Sequence, residues 1–150
     1  MDYLYSMDPE RMDLDVVVAL LRGTYWSPRI KRDVLLRGIA NSIVIGAFEA
    51  GSGRQVGFAR VVTDRATFAW LCDVIVDPDH RGKGLSTRML DALFAHPDLG
   101  QLRRWCLGTR DAHGIYQRYG FVPVHPGQWM ERKSDPAVWS EPAEGGALRA

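Results

Sequence analysis

Residues 76–86 read VDPDHRGKGLS and join a predicted apolar strand to a predicted amphipathic helix. Pro78 ends the strand, because proline has no N–H to donate to a β-ladder. Gly82 and Gly84 let a ligand approach the main chain closely, since neither carries a Cβ. The helix that follows begins with N–H groups that lack intrahelical partners, and its start carries positive charge. The stretch therefore predicts a turn that is suited to holding a phosphate chain.

Two better-known phosphate motifs do not fit this turn. A Walker loop requires a glycine where Asp77 stands, and a serine or threonine where Gly84 stands. A dinucleotide fingerprint requires a third glycine at the position of Thr87. The turn by itself is also consistent with an ordinary strand-to-helix connection whose charges are solvated.

The composition narrows the class of protein. A chain of 150 residues fits one domain, and its net charge of +1 argues against a general nucleic-acid binder, which carries a basic excess. No apolar run approaches the ~18 residues of a membrane span, and residues 1–10 lack a signal-peptide pattern, so we expect a cytoplasmic protein without a membrane partner. Cys72 and Cys106 lie in apolar strand patterns and are expected to be reduced core thiols rather than a disulfide or a catalytic thiol. No histidine lies near them in the sequence, so no metal site is predicted.

The hydrophobic pattern predicts an α/β domain with a mixed, mostly antiparallel sheet and helices on both faces. The predicted strands are residues 3–6, 42–48, 56–62, 67–76 and 102–107, with a last hairpin of residues 121–122 and 128–131. The predicted helices begin at Asp8, Ser27, Gly84 and Asp111. Tight turns join the three middle strands into an antiparallel meander. The strand after the third helix should run parallel to the strand before it, because a helical crossover connects them.

A second stretch, residues 110–121, reads RDAHGIYQRYGF and falls on the last predicted helix. The two stretches together resemble the GCN5-related N-acetyltransferase (GNAT) superfamily in their motifs and in the order of elements over residues 3–132. The residues that carry the resemblance are Val76, Pro78, Arg81, Gly84 and Ser86 in the first motif, and Ala112, Tyr116, Gly120 and Phe121 in the second. Two positions depart from the family pattern: Ser86 replaces the usual glycine or alanine, and Thr109 stands where many members have an asparagine that holds the pantetheine arm.

The resemblance implies a GNAT-like fold over residues 1–133 and acetyl-CoA as the donor. The main chain of Val74–Val76 would pair with the pantetheine arm like an added strand, and residues 81–87 would hold the pyrophosphate. The implied cofactor-binding residues are Val74, Ile75, Val76, Arg81, Gly82, Lys83, Gly84, Leu85, Ser86, Thr87, Thr109 and Tyr116. Residues 134–150 are rich in Pro, Gly, Ala and Glu and are expected to form a flexible tail.

The implied reaction is direct attack of a neutral amine on the thioester, with a main-chain N–H near Val74 stabilising the oxyanion. Tyr116 is the candidate general acid, because the pKa of a phenol, about 10, is close to that of an alkyl thiol; alternatively, it is a core tyrosine bonded to backbone. Asp73 interrupts an apolar strand, and is either a general base of raised pKa or the partner of an arginine. His113 shares a helix face with Tyr116 and is a second candidate base, unless it only caps or packs.

The acceptor is expected to be a small-molecule or peptide amine. The candidates for its pocket are Tyr25, Trp26, Trp70 and Trp129, although aromatic side chains also form cores. The protein is expected to be a monomer or a homodimer. Two alternatives stay open: a non-catalytic acyl-CoA-binding or regulatory module on the same scaffold, and an acyltransferase with a longer acyl donor.

Overall fold

A five-stranded sheet organises the chain in this computed structural model, which describes residues 2–143. The strands are β1 (Tyr3–Ser6), β2 (Ile43–Glu49), β3 (Gln55–Thr63), β4 (Phe68–Val76) and β5 (Arg104–Cys106). The α-helices are α1 (Leu14–Arg22), α2 (Arg32–Ala40), α3 (Leu85–Phe94) and α4 (His113–Gln117), and short 3-10 helices span Pro9–Arg11, Pro78–His80 and Pro136–Val138. None of the described helices is both long and apolar enough to cross a bilayer.

The sheet has the predicted mixed character. Its strand order is β1-β2-β3-β4-β5; the first four strands pair antiparallel, and β5 pairs parallel to β4. The parallel pair follows from the crossover through α3. The predicted α/β fold with a mostly antiparallel sheet is confirmed.

Helices cover both faces of the sheet, as predicted. On one face, α1 and α2 pack over Val44 and Phe58, and on the other, α3 packs over Ile43, Ile45 and Val61. The buried stripe of α3 consists of Leu85, Met89, Leu90 and Leu93. Each face thus buries one apolar layer, which is the driving force for holding the sheet between the helices.

A bulge interrupts the pairing of β3 with β4. Phe58 pairs with Ile75 and Arg60 pairs with Cys72, so the step covers two residues of β3 and three of β4. Asp73 lies in the bulge with φ of 57°, a left-handed conformation that aspartate tolerates better than most residues. Because β5 pairs with β4 only over residues 68–70, the far edge of β4 is open from Leu71 onward.

The early helices begin later than the sequence pattern predicts. Asp8 does cap a helix, accepting from the Glu10 N–H at 2.9 Å, but only the 3-10 turn Pro9–Arg11 follows it. A second cap, Asp13, accepts from the Val16 N–H at 3.3 Å and starts α1. The second helix does not open at Ser27, because Arg29 has φ of 58° and breaks the helical path.

The predicted last hairpin is wrong. Within residues 107–143, the structure has no strand pairing beyond one isolated bridge between Ile30 and Ser140. Pro123 and Pro126 remove N–H donors from this segment, and Gly127 adopts a positive φ of 83°. These breaks outweigh the strand propensity of the intervening residues.

Residues 137–141 lie against the early helices, a contact that composition does not predict. The Lys31 N–H donates to the Trp139 carbonyl at 2.9 Å, and the buried Ser140 hydroxyl donates to the Pro28 carbonyl at 3.2 Å. Trp139 packs against the cluster formed by α1 and α2. The flexibility of the tail stays a prediction, and its last seven residues, 144–150, lie outside the described residues.

Candidate functional site

The turn of residues 81–87, here called the glycine turn, has the backbone geometry that its sequence predicts. Gly82 and Gly84 have φ of 76° and 79°, in the left-handed region that favours glycine. A Cβ built at either position would meet no atom within 4 Å, so both face open space. Gly84 is the N-cap of α3 and offers no side-chain bond, which leaves the first N–H groups of the helix free of a side-chain cap.

A groove of about 420 Å³, the turn groove, runs from the end of β4 past the glycine turn to α4. Its lining includes Val74, Ile75, Val76, Arg81, Gly82, Gly84, Leu85, Ser86 and Tyr116, all predicted to bind the cofactor. Lys83 and Thr87 are absent from this lining, and the structure places Thr109 in the cavities beside it. The Thr109 hydroxyl accepts from the Ala112 N–H at 3.0 Å, ahead of α4.

Arg81, in the glycine turn, and His80, just before it, make contacts that the sequence did not predict. The Arg81 Nε donates to the Val76 carbonyl at 3.1 Å, so the last carbonyl of β4 is already engaged. His80, just before the glycine turn, is buried: it is 8% exposed, and its Nδ1 lies 2.9 Å from the Tyr3 hydroxyl. Its Nε2 lies 3.9 Å from a Glu49 carboxylate oxygen. The histidine therefore ties the turn to β1 and β2.

A second cavity of about 470 Å³, the central cavity, opens between the loop that joins α1 to α2 and the open edge of β4. Three of the predicted acceptor-pocket residues, Tyr25, Trp26 and Trp70, line it together. Its polar lining includes Cys72, Asp73, Thr109, Arg110, Asp111 and Tyr116. The structure thus places these three aromatic residues, which are distant in the sequence, at one cavity. The sequence did not predict that the charged residues Arg110 and Asp111 line it too.

A third cavity of about 410 Å³, the tryptophan cavity, shares Trp70 with the central cavity. Trp129 lines it and does not line the central cavity; its ring centroid is 6.3 Å from that of Trp70. His113 also lines this third cavity. The structure therefore does not bring the two candidate bases, Asp73 and His113, to one cavity.

Tyr116 stands at the junction, because it lines the turn groove, the central cavity and the tryptophan cavity. Its hydroxyl makes no hydrogen bond to residues 2–143. The described structure therefore does not support the alternative in which Tyr116 is a core tyrosine bonded to the backbone. Burial raises the pKa of the Tyr116 phenol, and Tyr25 and Asp111 raise it further. The side chain is therefore a protonated donor at neutral pH.

Asp73 is the partner of an arginine. Its Oδ2 accepts from the Arg60 Nε at 2.9 Å, and its Oδ1 accepts from the Trp26 Nε1 at 3.3 Å. The Arg60 Nη1 also donates to the Ser42 hydroxyl at 3.1 Å. The sequence analysis did not predict Arg60 as the partner of Asp73. The sequence nevertheless indicates this pair, because Arg60 is a charge in an otherwise apolar strand, and the neighbouring strand holds a single acid. The pair links the bulge of β4 to the loop that carries Trp26.

Cys72 lines the central cavity but is a poor nucleophile. Burial raises the pKa of its thiol to about 12, so little thiolate is present at neutral pH. Cys72 and Cys106 are both free thiols, in agreement with the expectation that they do not form a disulfide.

Comparison with known proteins assigns this arrangement to a family. Residues 40–123 match the acetyltransferase (GNAT) domain. A provisionally named acetyltransferase of Gibberella zeae, FG08082, is 31% identical over 77% of this chain and 76% of its own length. A Xanthomonas campestris protein assigned to the GNAT family has a crystal structure that superposes with a TM-score of 0.84 at 45% identity, covering 89% of this chain and 94% of its own. A Clostridium acetobutylicum protein classed as an acetyltransferase and solved with acetyl-CoA shares the fold, with a TM-score of 0.64 at 18% identity over 88% of this chain and 95% of its own. The chain belongs to the GNAT acetyltransferase family.

Proposed function

We propose that this protein is an acetyl-CoA-dependent N-acetyltransferase that moves an acetyl group to a primary amine by direct attack on the thioester. The observation that carries the proposal is the position of Tyr116, which borders both the turn groove and the central cavity. One cavity suits a phosphate-bearing donor and the other suits an acceptor, and a protonated phenol stands between them. The high pKa of Cys72 supports direct attack over an acyl-cysteine route.

The residues of the turn groove suit coenzyme A. Two glycines with positive φ leave space where a Cβ would otherwise stand, beside the positive end of α3. The open edge of β4 offers main-chain groups of Val74 and Ile75 to an extended arm. The fold relative from Clostridium acetobutylicum that was solved with acetyl-CoA supports the same ligand.

When bound, acetyl-CoA supplies the thioester carbonyl that the amine attacks and the thiolate that departs. Tyr116 would give its phenolic proton to the departing sulfur, and the attacking nitrogen would lose a proton that restores the phenol as the amide forms. The N–H of Val74, next to the bulge, stabilises the negative charge that develops on the carbonyl oxygen. Asp73 acts as a positioning residue, because its carboxylate is bonded to Arg60 and Trp26 and holds both the bulge and the aromatic loop.

The first experiment measures coenzyme A binding by calorimetry, and thiol release from acetyl-CoA and from a longer acyl-CoA in a panel of primary amines. Binding followed by acetylated product supports the proposal. Coenzyme A binding without turnover of any amine favours the non-catalytic acyl-CoA-binding module. Turnover only with the longer acyl donor favours an acyltransferase that uses such a donor. No coenzyme A binding contradicts the proposal.

Tyr116→Phe tests the proton donor. We expect kcat to fall about 100-fold, the lower end of the range for general acid–base catalysis, while the Kd for coenzyme A stays the same. Tyr119→Phe is the matched control, since the Tyr119 hydroxyl bonds Asp91 at 2.9 Å on α3 and lies outside the central cavity. A Tyr116→Phe enzyme with at least half the parent turnover removes Tyr116 from this role.

A further inference from the structure

Arg110 lies at the central cavity in a fixed orientation. Its guanidinium carbon is 3.7 Å from the centroid of the Tyr25 ring, and its main-chain N–H donates to the Tyr25 hydroxyl at 3.0 Å. The Tyr25 ring in turn meets Trp26 edge-on, with centroids 5.0 Å apart. A guanidinium that is already stacked on an aromatic face loses little further freedom when it binds an anion.

No carboxylate among residues 2–143 lies within 4.0 Å of the Arg110 guanidinium. The planar guanidinium offers several N–H donors in a fork that matches a carboxylate. Of the two acids at the wall of the central cavity, Asp73 and Asp111, Asp73 is neutralised by Arg60 and does not oppose an incoming anion. The structure therefore holds a free, oriented carboxylate-binding group beside the reaction junction.

The next residue, Asp111, has the opposite charge and lines both the central cavity and the turn groove. It also lies close enough to Tyr116 to raise the pKa of the phenol, so its charge is near the reacting end of the cavity. An ammonium group entering beside Tyr116 is attracted by this carboxylate. Trp26 and Trp70 form the apolar part of the wall.

We propose that the acceptor is a free amino acid with an apolar or aromatic side chain. Arg110 holds its carboxylate, and its side chain lies against Trp26 and Trp70. Asp111 attracts its ammonium group, which loses one proton to water before the neutral amine attacks the thioester. This inference rests on the proposed function, because it names the acceptor class of the same site. It also distinguishes a free amino acid from a peptide amino terminus, whose neighbouring carboxylate is converted to an amide.

Three acceptors that share one amine and one ring test the inference: phenylalanine, phenylalaninamide and 2-phenylethylamine. We expect the parent protein to have a kcat/KM about tenfold or more higher for phenylalanine, which corresponds to one charge-assisted hydrogen-bonded pair. Arg110→Gln should remove that preference, Arg110→Lys should keep part of it, and the Kd for coenzyme A should not change. The control Arg103→Gln alters an exposed arginine outside the cavity and should leave the preference intact.

A calorimetric titration of phenylalanine and phenylalaninamide into the protein without a donor gives a second readout. Tighter binding of phenylalanine that is lost in Arg110→Gln supports the inference, even if none of the amines is acetylated and the proposed function fails. Equal use of the three acceptors, or equal binding of phenylalanine and phenylalaninamide, overturns the inference and leaves acetyl transfer standing. A parallel loss for all three in Arg110→Gln also overturns it.

Discussion

At the scale of single residues, the site depends on side chains whose neighbours set their chemistry. Burial and Asp111 raise the pKa of the Tyr116 phenol, while burial and Asp73 raise the pKa of the Cys72 thiol against the opposing effect of Arg60. Both effects favour the neutral form of the group. The result is a protonated phenol where the three cavities meet and a protonated thiol at the wall of the central cavity.

Asp73→Asn separates a positioning role from a base role. We expect it to lower the free energy of unfolding by about 3 kcal/mol, because Arg60 then keeps a largely buried charge without its partner. We expect the shape of the pH–rate profile to stay the same, because the amide tolerates the bulge and still bonds Trp26. Loss of the acidic limb of that profile would instead identify Asp73 as the base.

Asp98→Asn is the matched control for the stability measurement, because it removes the charge of an aspartate that is paired with an exposed arginine. Asp98 pairs with Arg65 at 2.6 Å, but both side chains are about half exposed. Surface pairs of this kind contribute at most about 1 kcal/mol. A loss of stability as large as that of Asp73→Asn would mean that burial is not what makes the Arg60 pair important.

At the scale of elements, the glycine turn and the end of β4 form one continuous wall of the turn groove. The left-handed glycines shape the turn, Arg81 ties it to the end of β4, and His80 ties it to the first two strands. The bulge at Asp73 then marks where β4 leaves its regular pairing with β3. Because these hydrogen bonds hold the glycine turn in place, it can bind a ligand without large rearrangement.

Gly84→Ala and Gly53→Ala compare the same backbone strain at two places. Both glycines have positive φ, 79° and 73°, and open space at the Cβ position, so each substitution should cost about 1–2 kcal/mol of stability. Only Gly84→Ala should weaken coenzyme A binding, by about tenfold, because its methyl group enters the turn groove. Calorimetry with coenzyme A measures the difference, and equal affinities in the two variants would contradict the assignment of the groove.

At the scale of the whole molecule, the cavities lie between the open edge of β4, the loop that joins α1 to α2, the start of α3 and α4. The C-terminal segment adds a further contact on the face of α1 and α2, through Trp139 and Ser140. The same face carries the loop of Tyr25 and Trp26, so this segment supports the part of the fold that borders the central cavity.

Trp139→Ala tests whether this contact stabilises the domain. We expect the free energy of unfolding to fall by about 2–3 kcal/mol, somewhat less than for a fully buried tryptophan. Val138→Ala, next to it but 62% exposed, should change stability by no more than about 0.5 kcal/mol. Chemical denaturation measures both, and equal effects would show that the segment does not contribute through Trp139.

The sequence alone determined the features that depend on neighbouring residues. The strand–turn–helix unit, the glycines at positions 82 and 84 and the buried stripe of α3 follow from local pattern and backbone preference, whereas Tyr116 was chosen through the resemblance to a family motif. Only the tertiary structure decided which distant residues meet: Trp26 with Asp73, 47 positions apart, Tyr3 with His80, 77 apart, and Tyr25 with Arg110, 85 apart. The reason is that hydrophobic periodicity records which face of an element is buried, whereas polar partners across the sheet are set by register, bulges and loop paths, which no short stretch of sequence encodes.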